Sequence, residues 1–478
     1  MTHFTALDLG VLLLYLAGVT AWGAWLGRGQ TRGTDYFLGN RELPWGAVML
    51  SVVATETSTL TFLSIPGVAY LGTFTFLQLT LGYLAGRIMV SLLLLPAYFR
   101  GELTTAYALL ETRFGAGARR FTSAVFMLTR LLADSVRLFA TAIPLALVTG
   151  WPYPVSIAVI GALTLVYTYF GGIKAVVWVD ALQMGLYLVG ALIAVVALQG
   201  MVPGGWAEVF SSAQVAGKLQ VLDFQLDPAV PYTFFAGLMG GGFLTMASHG
   251  TDQLIVQRLL TCRDLRAAQK ALVGSAFSVM AQFLIFLTVG LGLWAFYQGR
   301  GFERSDEIFA LFIVQELPSG ITGLLIAGIF AAAMSSLSSS INSLASASAY
   351  DFWAPLRGIV GEEGRILRAG KAFTLVWAAL LIGGAVLFIP LSRGTTAVEV
   401  ALGIASVVYG GLLGAFGLGV LVERADERSA ILGMVAGIGT VMFVWLTIPE
   451  RVAWPWFALI GTGVTFLVGW ALGRRTTA

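Results

Sequence analysis

Between Ala331 and Ile341 the chain sets serines at positions 335, 336, 338, 339 and 340. Ser335, Ser338 and Ser339 stand at i, i+3 and i+4, so a helix would carry them on one face. Hydroxyls at this density in an apolar segment can offer several preorganised oxygens to a hard cation such as sodium, which sheds its water only for such a set. The competing reading is packing: small residues let helices approach closely, and each hydroxyl can donate to a carbonyl one turn back.

Two other polar interruptions could face that cluster. One is Ala54-Thr55-Glu56-Thr57-Ser58-Thr59, with Pro66-Gly67 beyond it. The other is Gly240-Gly241-Gly242 followed by Ser248-His249-Gly250-Thr251-Asp252-Gln253. Unwound backbone at these points would add unpaired carbonyls to the oxygen supply. Glu56 is an acid in an apolar run, a costly placement that is usually functional; it could strengthen cation binding, meet a donor on a solute, or carry a proton. Ser58, Thr61, Gln78, Asp134, Arg137, Asp252 and Gln253 are candidates for a solute site in one central cavity. Arg130, Asp134 and Arg137 have helical spacings of four and three, so they could equally form an internal ion-paired stripe. Arg137 would suit a carboxylate through bidentate bonds. His249 reads more readily as a hydrogen-bonded structural group than as a proton carrier.

The elements that position these residues follow from composition. Hydrophobic residues are 58% of 478 and charged residues 11%, against roughly 25% charged in a soluble chain. There is too little polar surface to face water, so lipid must be the main solvent. Apolar runs long enough to cross a hydrocarbon core of ~30 Å recur near 5–27, 44–71, 74–98, 121–149, 152–170, 176–200, 231–257, 269–298, 318–349, 370–390, 396–421, 428–448 and 453–473. These thirteen spans leave one long gap, 201–230, which reads as an external loop with a short surface helix.

Basic residues test the count. With the N-terminus outside, the cytoplasmic side receives Arg28, Arg32, Arg41, Arg100, Arg113, Arg119, Arg120, Lys174, Arg258, Arg263, Arg266, Lys270, Arg357, Arg365, Arg368, Lys371, Arg424, Arg428, Arg474 and Arg475. The other side holds Lys218, Arg300, Arg304, Arg393 and Arg451. A missed span would scramble this asymmetry. The expectation is a multi-pass protein of the cell inner membrane, N-terminus outside and C-terminus cytoplasmic.

Several functions are excluded on the same grounds. Net charge is +3, and the bases lie between apolar runs rather than on one face, so no nucleic-acid surface is expected. Cys262 is the single cysteine, and His3 and His249 are the only histidines; neither a disulfide nor a zinc centre is available. The first apolar run lacks the basic flank of a signal peptide. No channel filter and no catalytic cluster is evident, so the chain is not expected to be an enzyme. No signalling module is expected after Arg475.

Two interrupted spans, the second and the seventh, lie five apart, as two inverted repeats over spans 2–6 and 7–11 would place them; a pair of merely kinked helices is the alternative. Here the residues also resemble a family. TDYFLGNRELPW at 34–45, YFGGIKAVVWVDALQ at 169–183, TDQLIVQRLLTCRDLRAAQK at 251–270, AAAMSSLSSSINSLAS at 331–346 and VYGGLLGAFGLG at 408–419 are together similar to the sodium:solute symporter family. The resemblance covers nearly the whole chain, in order. It implies an all-α LeuT-type fold: an extra helix at 5–27, five-helix repeats over 44–200 and 231–421, and two further helices over 428–473, in one transmembrane domain.

The resemblance also implies sodium as the coupled ion, bound by the carbonyls of Ala54, Thr57 and Ala332 and the hydroxyls of Ser335 and Ser336. Asp180 matches an acid that supplies a second sodium site in some members, with Ser338 and Ser339 beside it; otherwise Asp180 favours its helix N-terminus or pairs with Lys174. Glu56 matches the aspartate of the sodium/proline carriers. Galactose carriers have a lysine where this chain has Val279, which counts against a galactose-type site. The implied function is sodium-coupled import of a small solute (a sugar, polyol, amino acid or organic acid) by a monomer in lipid, with one sodium or two. A transporter-like sensor and a proton-coupled carrier are the alternatives.

Overall fold

The computed structural model describes residues 4–101, 103–302, 305–392 and 397–473. Arg304, Arg393, Arg474 and Arg475, and the first residue of the span expected from 396, lie outside them. The described residues form helices joined by mostly short links, the longest between Val215 and Ala236, with no strand among them beyond an isolated bridge between Leu43 and Cys262.

Helix α1 spans Ala6–Leu26, capped by Thr5. A short α2, Gly33–Leu38, leads to α3, Trp45–Glu56, and α4, Thr59–Leu71. Next come α5, Leu77–Leu93, α6, Leu95–Arg100, α7, Ala108–Phe114, and α8, Ala116–Thr149. Then α9 runs over Tyr153–Met201 and α10 over Gly205–Val215; α10 is the short helix expected in the 201–230 loop. The second half of the chain has α11, Gly241–Gly250, α12, Gln253–Leu259, α13, Leu265–Phe296, α14, Ser305–Gln315, and α15, Ile321–Ala347. It closes with α16, Ala354–Leu356, α17, Glu363–Phe388, α18, Ala397–Leu421, α19, Glu427–Thr447, and α20, Trp456–Leu472.

Eight of the described helical stretches are long and apolar enough to cross a membrane, and α3 with α4 make a ninth as a pair bent by 63°. The chain is therefore an all-helical, multi-pass membrane protein. Helix α8 carries Arg130, Asp134 and Arg137, which pair with one another inside the protein. At 49 residues α9 is far longer than the ~20 that a bilayer needs. Its φ/ψ pattern breaks at Gly172 (φ 53°, ψ −155°), which divides it. Only glycine suits that conformation, and a Cβ there would lie 2.5 Å from the Tyr36 carbonyl oxygen.

The first break falls where the polar cluster predicts it. Thr57 and Ser58 take extended angles after α3, and Thr and Ser compete for backbone groups rather than propagate a helix. The second break corrects the expectation. Gly240, Gly241 and Gly242 remain helical, Gly240 ending a π-turn over Ala236–Gly240. The chain unwinds at Thr251–Asp252 instead, where the Asp252 carboxylate caps α12 by accepting from Leu254 N–H at 2.9 Å. The glycines serve packing: a Cβ on Gly82 of α5 would come within 2.1 Å of the Gly237 carbonyl oxygen.

Helix α15 is buried along most of its length and packs mainly against α9, with α1, α3, α8 and α17 around it. Asp8 fastens α1 to its start: buried, it accepts from Thr5 through one oxygen and from the N–H groups of Gly320 (2.7 Å) and Gly323 (2.8 Å) through the other. The first turn of a helix leaves such donors without intrahelical partners.

Candidate functional site

The serine face of α15 lies against the unwound end of α3. Thr55 Oγ1 sits 3.4 Å from Ser339 Oγ, and Thr59 donates to the Ile329 carbonyl at 3.1 Å. Thr57 exchanges hydrogen bonds with Gln282 of α13 through its side chain, which leaves its backbone carbonyl out of that contact. The last carbonyls of α3, Ala54 among them, have no helical turn after them to supply N–H partners.

Most of the serine run satisfies itself along the helix. Ser336 donates to the Ala332 carbonyl at 3.2 Å, Ser338 and Ser339 donate to that of Ser335 at 3.0 and 2.6 Å, and Ser340 donates to Asp134 at 2.5 Å. Ser335 differs: its buried Oγ turns from the helix carbonyls to the Asp180 carboxyl, whose Oδ1 is likewise buried. These two oxygens lie close to a helix end whose last carbonyls lack helical partners.

The other oxygen of Asp180 accepts from Ser51 (2.6 Å) and pairs with Arg258 (3.1 Å), which also donates to Ser339. This corrects two expectations. The basic partner of Asp180 is Arg258, not Lys174, and Arg258 is fully buried rather than a loop charge. Arg258 thus links Asp180 to Ser339, while Ser338 donates to the Ser335 carbonyl.

Above the break of α3 opens a cavity of about 290 Å³, a size suited to a small molecule. Glu56, Ser58, Thr61 and Arg137 of the expected solute residues line it, with aromatic walls that include Phe76, Tyr232, Tyr409 and Trp454. Asp134 does not line it; with Ser58, Arg137 and Ser336 it borders a separate void of about 20 Å³, room for one water. Asp252 reaches the cavity only through Arg130, with which it is paired. Gln78 and Gln253 stand elsewhere. Gln78 donates to the Tyr232 carbonyl at 3.0 Å and accepts from Asp223 N–H, so it fastens the long external-type loop. Gln253 accepts from Ala106 N–H at 2.7 Å in the buried interior.

Each charge at the site has a partner. Glu56 pairs with Arg87, a fully buried residue of α5 that also donates to Ser275 at 2.5 Å. Asp134 lies 3.3 Å from Arg137 and 3.6 Å from Arg130, and Arg130 also donates to Tyr409. The internal stripe read from the helical spacing is therefore real and extends to Asp252. Arg87, Gln282 and the role of Arg258 were missed from sequence. An arginine inside an apolar run is the signal that could have found Arg87, since it requires an acid nearby.

The arrangement joins a broken helix, a group of buried oxygens on the helix facing it and an adjoining cavity. The model of the sodium:solute symporter family matches residues 36–437. The sodium/sialic acid symporter of Aliivibrio fischeri is 31% identical over 476 residues, covering 98% of this chain and 93% of its own. The human sodium/iodide cotransporter is also 31% identical, covering 93% and 70%. A solved structure of a Na+-coupled sialic acid symporter, substrate-bound and outward-open, superposes with a TM-score of 0.89 at 28% identity, covering 98% of each chain. By family match, relatives and fold together, the chain belongs to the sodium:solute symporter family and is a sodium-coupled transporter rather than an enzyme.

Proposed function

We propose that this chain imports a small organic solute with sodium by alternating access, sodium lying at the end of α3 and the solute in the cavity above it. The observation that carries the reading is the buried Ser335 Oγ, turned to the Asp180 carboxyl rather than back along its helix, beside the unwound backbone. Sodium is held by the carbonyls of Ala54, Thr57 and Ala332 and the hydroxyls of Ser335 and Ser336. Asp180, Ser338 and Ser339 are the ligands of a second ion. Asp134, Asp252 and Arg130 serve the solute indirectly, by fixing the orientation of Arg137, while Glu56, Ser58, Thr61 and Arg137 touch it.

The membrane arrangement is thirteen crossings in one domain, N-terminus outside and C-terminus cytoplasmic, in the cell inner membrane. To the eight long spans and the bent pair are added the second half of α9, then α8, then α11 with α12, and α20. The repeats run over 44–200 and 231–421, each opening on an interrupted helix, and the chain acts as a monomer. Relatives carry sialic acid and iodide, as their names state; a 31% identity does not transfer either cargo.

Reconstitution of the full chain into vesicles tests the reading. Uptake of a labelled panel of sugars, polyols, amino acids and organic acids is driven by an inward sodium gradient for at least one solute. Uptake that is equal with a potassium gradient would refute it.

A further inference from the structure

Between α3 and α4 no helical ladder fixes the backbone. Thr57 has φ −85° and ψ 97°, and Ser58 follows in the same extended region. Side chains hold this stretch instead. Thr59 donates to the Ile329 carbonyl of α15. Thr57 Oγ1 donates to Gln282 Oε1 at 3.1 Å and accepts from Gln282 Nε2 at 2.8 Å. Tyr187 of α9 also turns its hydroxyl to Thr57. Thr57 and Gln282 are both buried, so water does not compete for their contact.

Gln282 lies on α13, seven residues after Ser275, so the two share a face of that helix. Ser275 accepts from Arg87 at 2.5 Å, and Arg87 pairs with Glu56. One face of α13 therefore reaches two consecutive residues at the end of α3: Glu56 through Arg87, and Thr57 directly. Packing alone does not call for this. Two apolar groups of the same shape would fill the space of the Thr57–Gln282 pair with little or no loss of stability. What the pair adds is direction, because a Thr57 pinned through its side chain cannot turn its peptide groups freely.

We propose that Gln282 is a positioning residue of the sodium site: by clamping the Thr57 hydroxyl it fixes where the Thr57 carbonyl points, and so prepares one oxygen of the site before the ion arrives. A hard cation sheds its water only for oxygens already in place, and groups that orient metal ligands from behind carry about 10–100-fold in affinity. This rests on the reading above that the Thr57 carbonyl is a sodium ligand, and adds the residue that holds it ready. Gln282 itself touches neither the ion nor the solute.

The test is a double-mutant cycle on the purified full chain. The readout is the apparent sodium affinity, taken from the rise in melting temperature with sodium over potassium at equal ionic strength. Gln282→Met keeps the length of the side chain without its amide. Thr57→Val keeps the backbone carbonyl and loses the hydroxyl. The double variant removes both partners, so neither is stranded by loss of the other and the fold is kept. Each of the three is expected to bind sodium about tenfold or more weakly than wild type, and the double variant no more weakly than the worse single, because the same clamp is lost in each. A sodium affinity unchanged in the double variant, whatever its melting temperature without sodium, makes the pair a structural tie and overturns the proposal. Single effects that multiply in the double variant overturn it too, since Gln282 would then act by a route other than Thr57. If the wild-type chain shows no sodium-specific rise, the coupling reading fails and this inference falls with it.

Discussion

Serine hydroxyls in an apolar helix ordinarily satisfy themselves by donating one turn back, and Ser336, Ser338 and Ser339 do so. Ser335 does not, and this single departure separates an ion site from close packing. Replacing Ser335 and Ser336 by Ala is expected to weaken sodium affinity at least ~10-fold while the chain stays folded, since no apolar contact is lost and two neutral hydroxyl ligands are; a sodium titration of melting temperature checks both. Asp180 raises a separate question. Asp180→Asn strands the buried Arg258, a loss of about 3–5 kcal/mol in comparable cases. The double change with Arg258→Met should recover much of it in a thermal melt. If Asp180 also holds a second sodium, the sodium-to-solute ratio from reversal potentials falls in that double variant; an unchanged ratio would leave Asp180 a pairing residue alone.

At the scale of elements, the break in α3–α4 was legible because Thr, Glu, Thr, Ser and Thr follow one another where a lipid-facing helix would be apolar. The second break was legible only in part. A run of glycines reads as a point of unwinding, yet here it permits close contact between α5 and α11, and the true break is marked by an aspartate capping the next helix. Partners far apart in sequence were not legible: Arg87 finds Glu56 across two helices, and Gln78 points to an external-type loop instead of the cavity. Such pairings depend on how α5 rotates about its axis, which apolar composition on all sides does not determine. Two changes test the packing account. Gly82→Leu should force α5 from α11 and lower the melting temperature by several degrees, because the added side chain overlaps backbone atoms that cannot rotate away. Asp8→Ala strands the N–H groups of Gly320 and Gly323 at the start of α15, costing about 1–3 kcal/mol; a melt unchanged from wild type would show that α1 is not fastened there.

For the molecule as a whole, lipid solvation was evident from composition, and the family resemblance carried the order of the elements. Charge placement worked less well as a detailed guide, because Arg258, read as a loop charge, is an interior residue bonded to Asp180. At the site, Glu56, Asp134, Asp180 and Asp252 are each matched by an arginine among the described residues. Sodium thus enters a region that is already balanced, and its binding rests on oxygen geometry more than on excess negative charge. On the proposed reading, this geometry selects sodium. Its most direct test is the melting temperature of the purified full chain, titrated with sodium chloride and with potassium chloride at equal ionic strength. A saturable rise specific to sodium, lost in the Ser335→Ala, Ser336→Ala double variant, is the predicted result; equal responses to the two salts, or a sodium response that survives that variant, would contradict it.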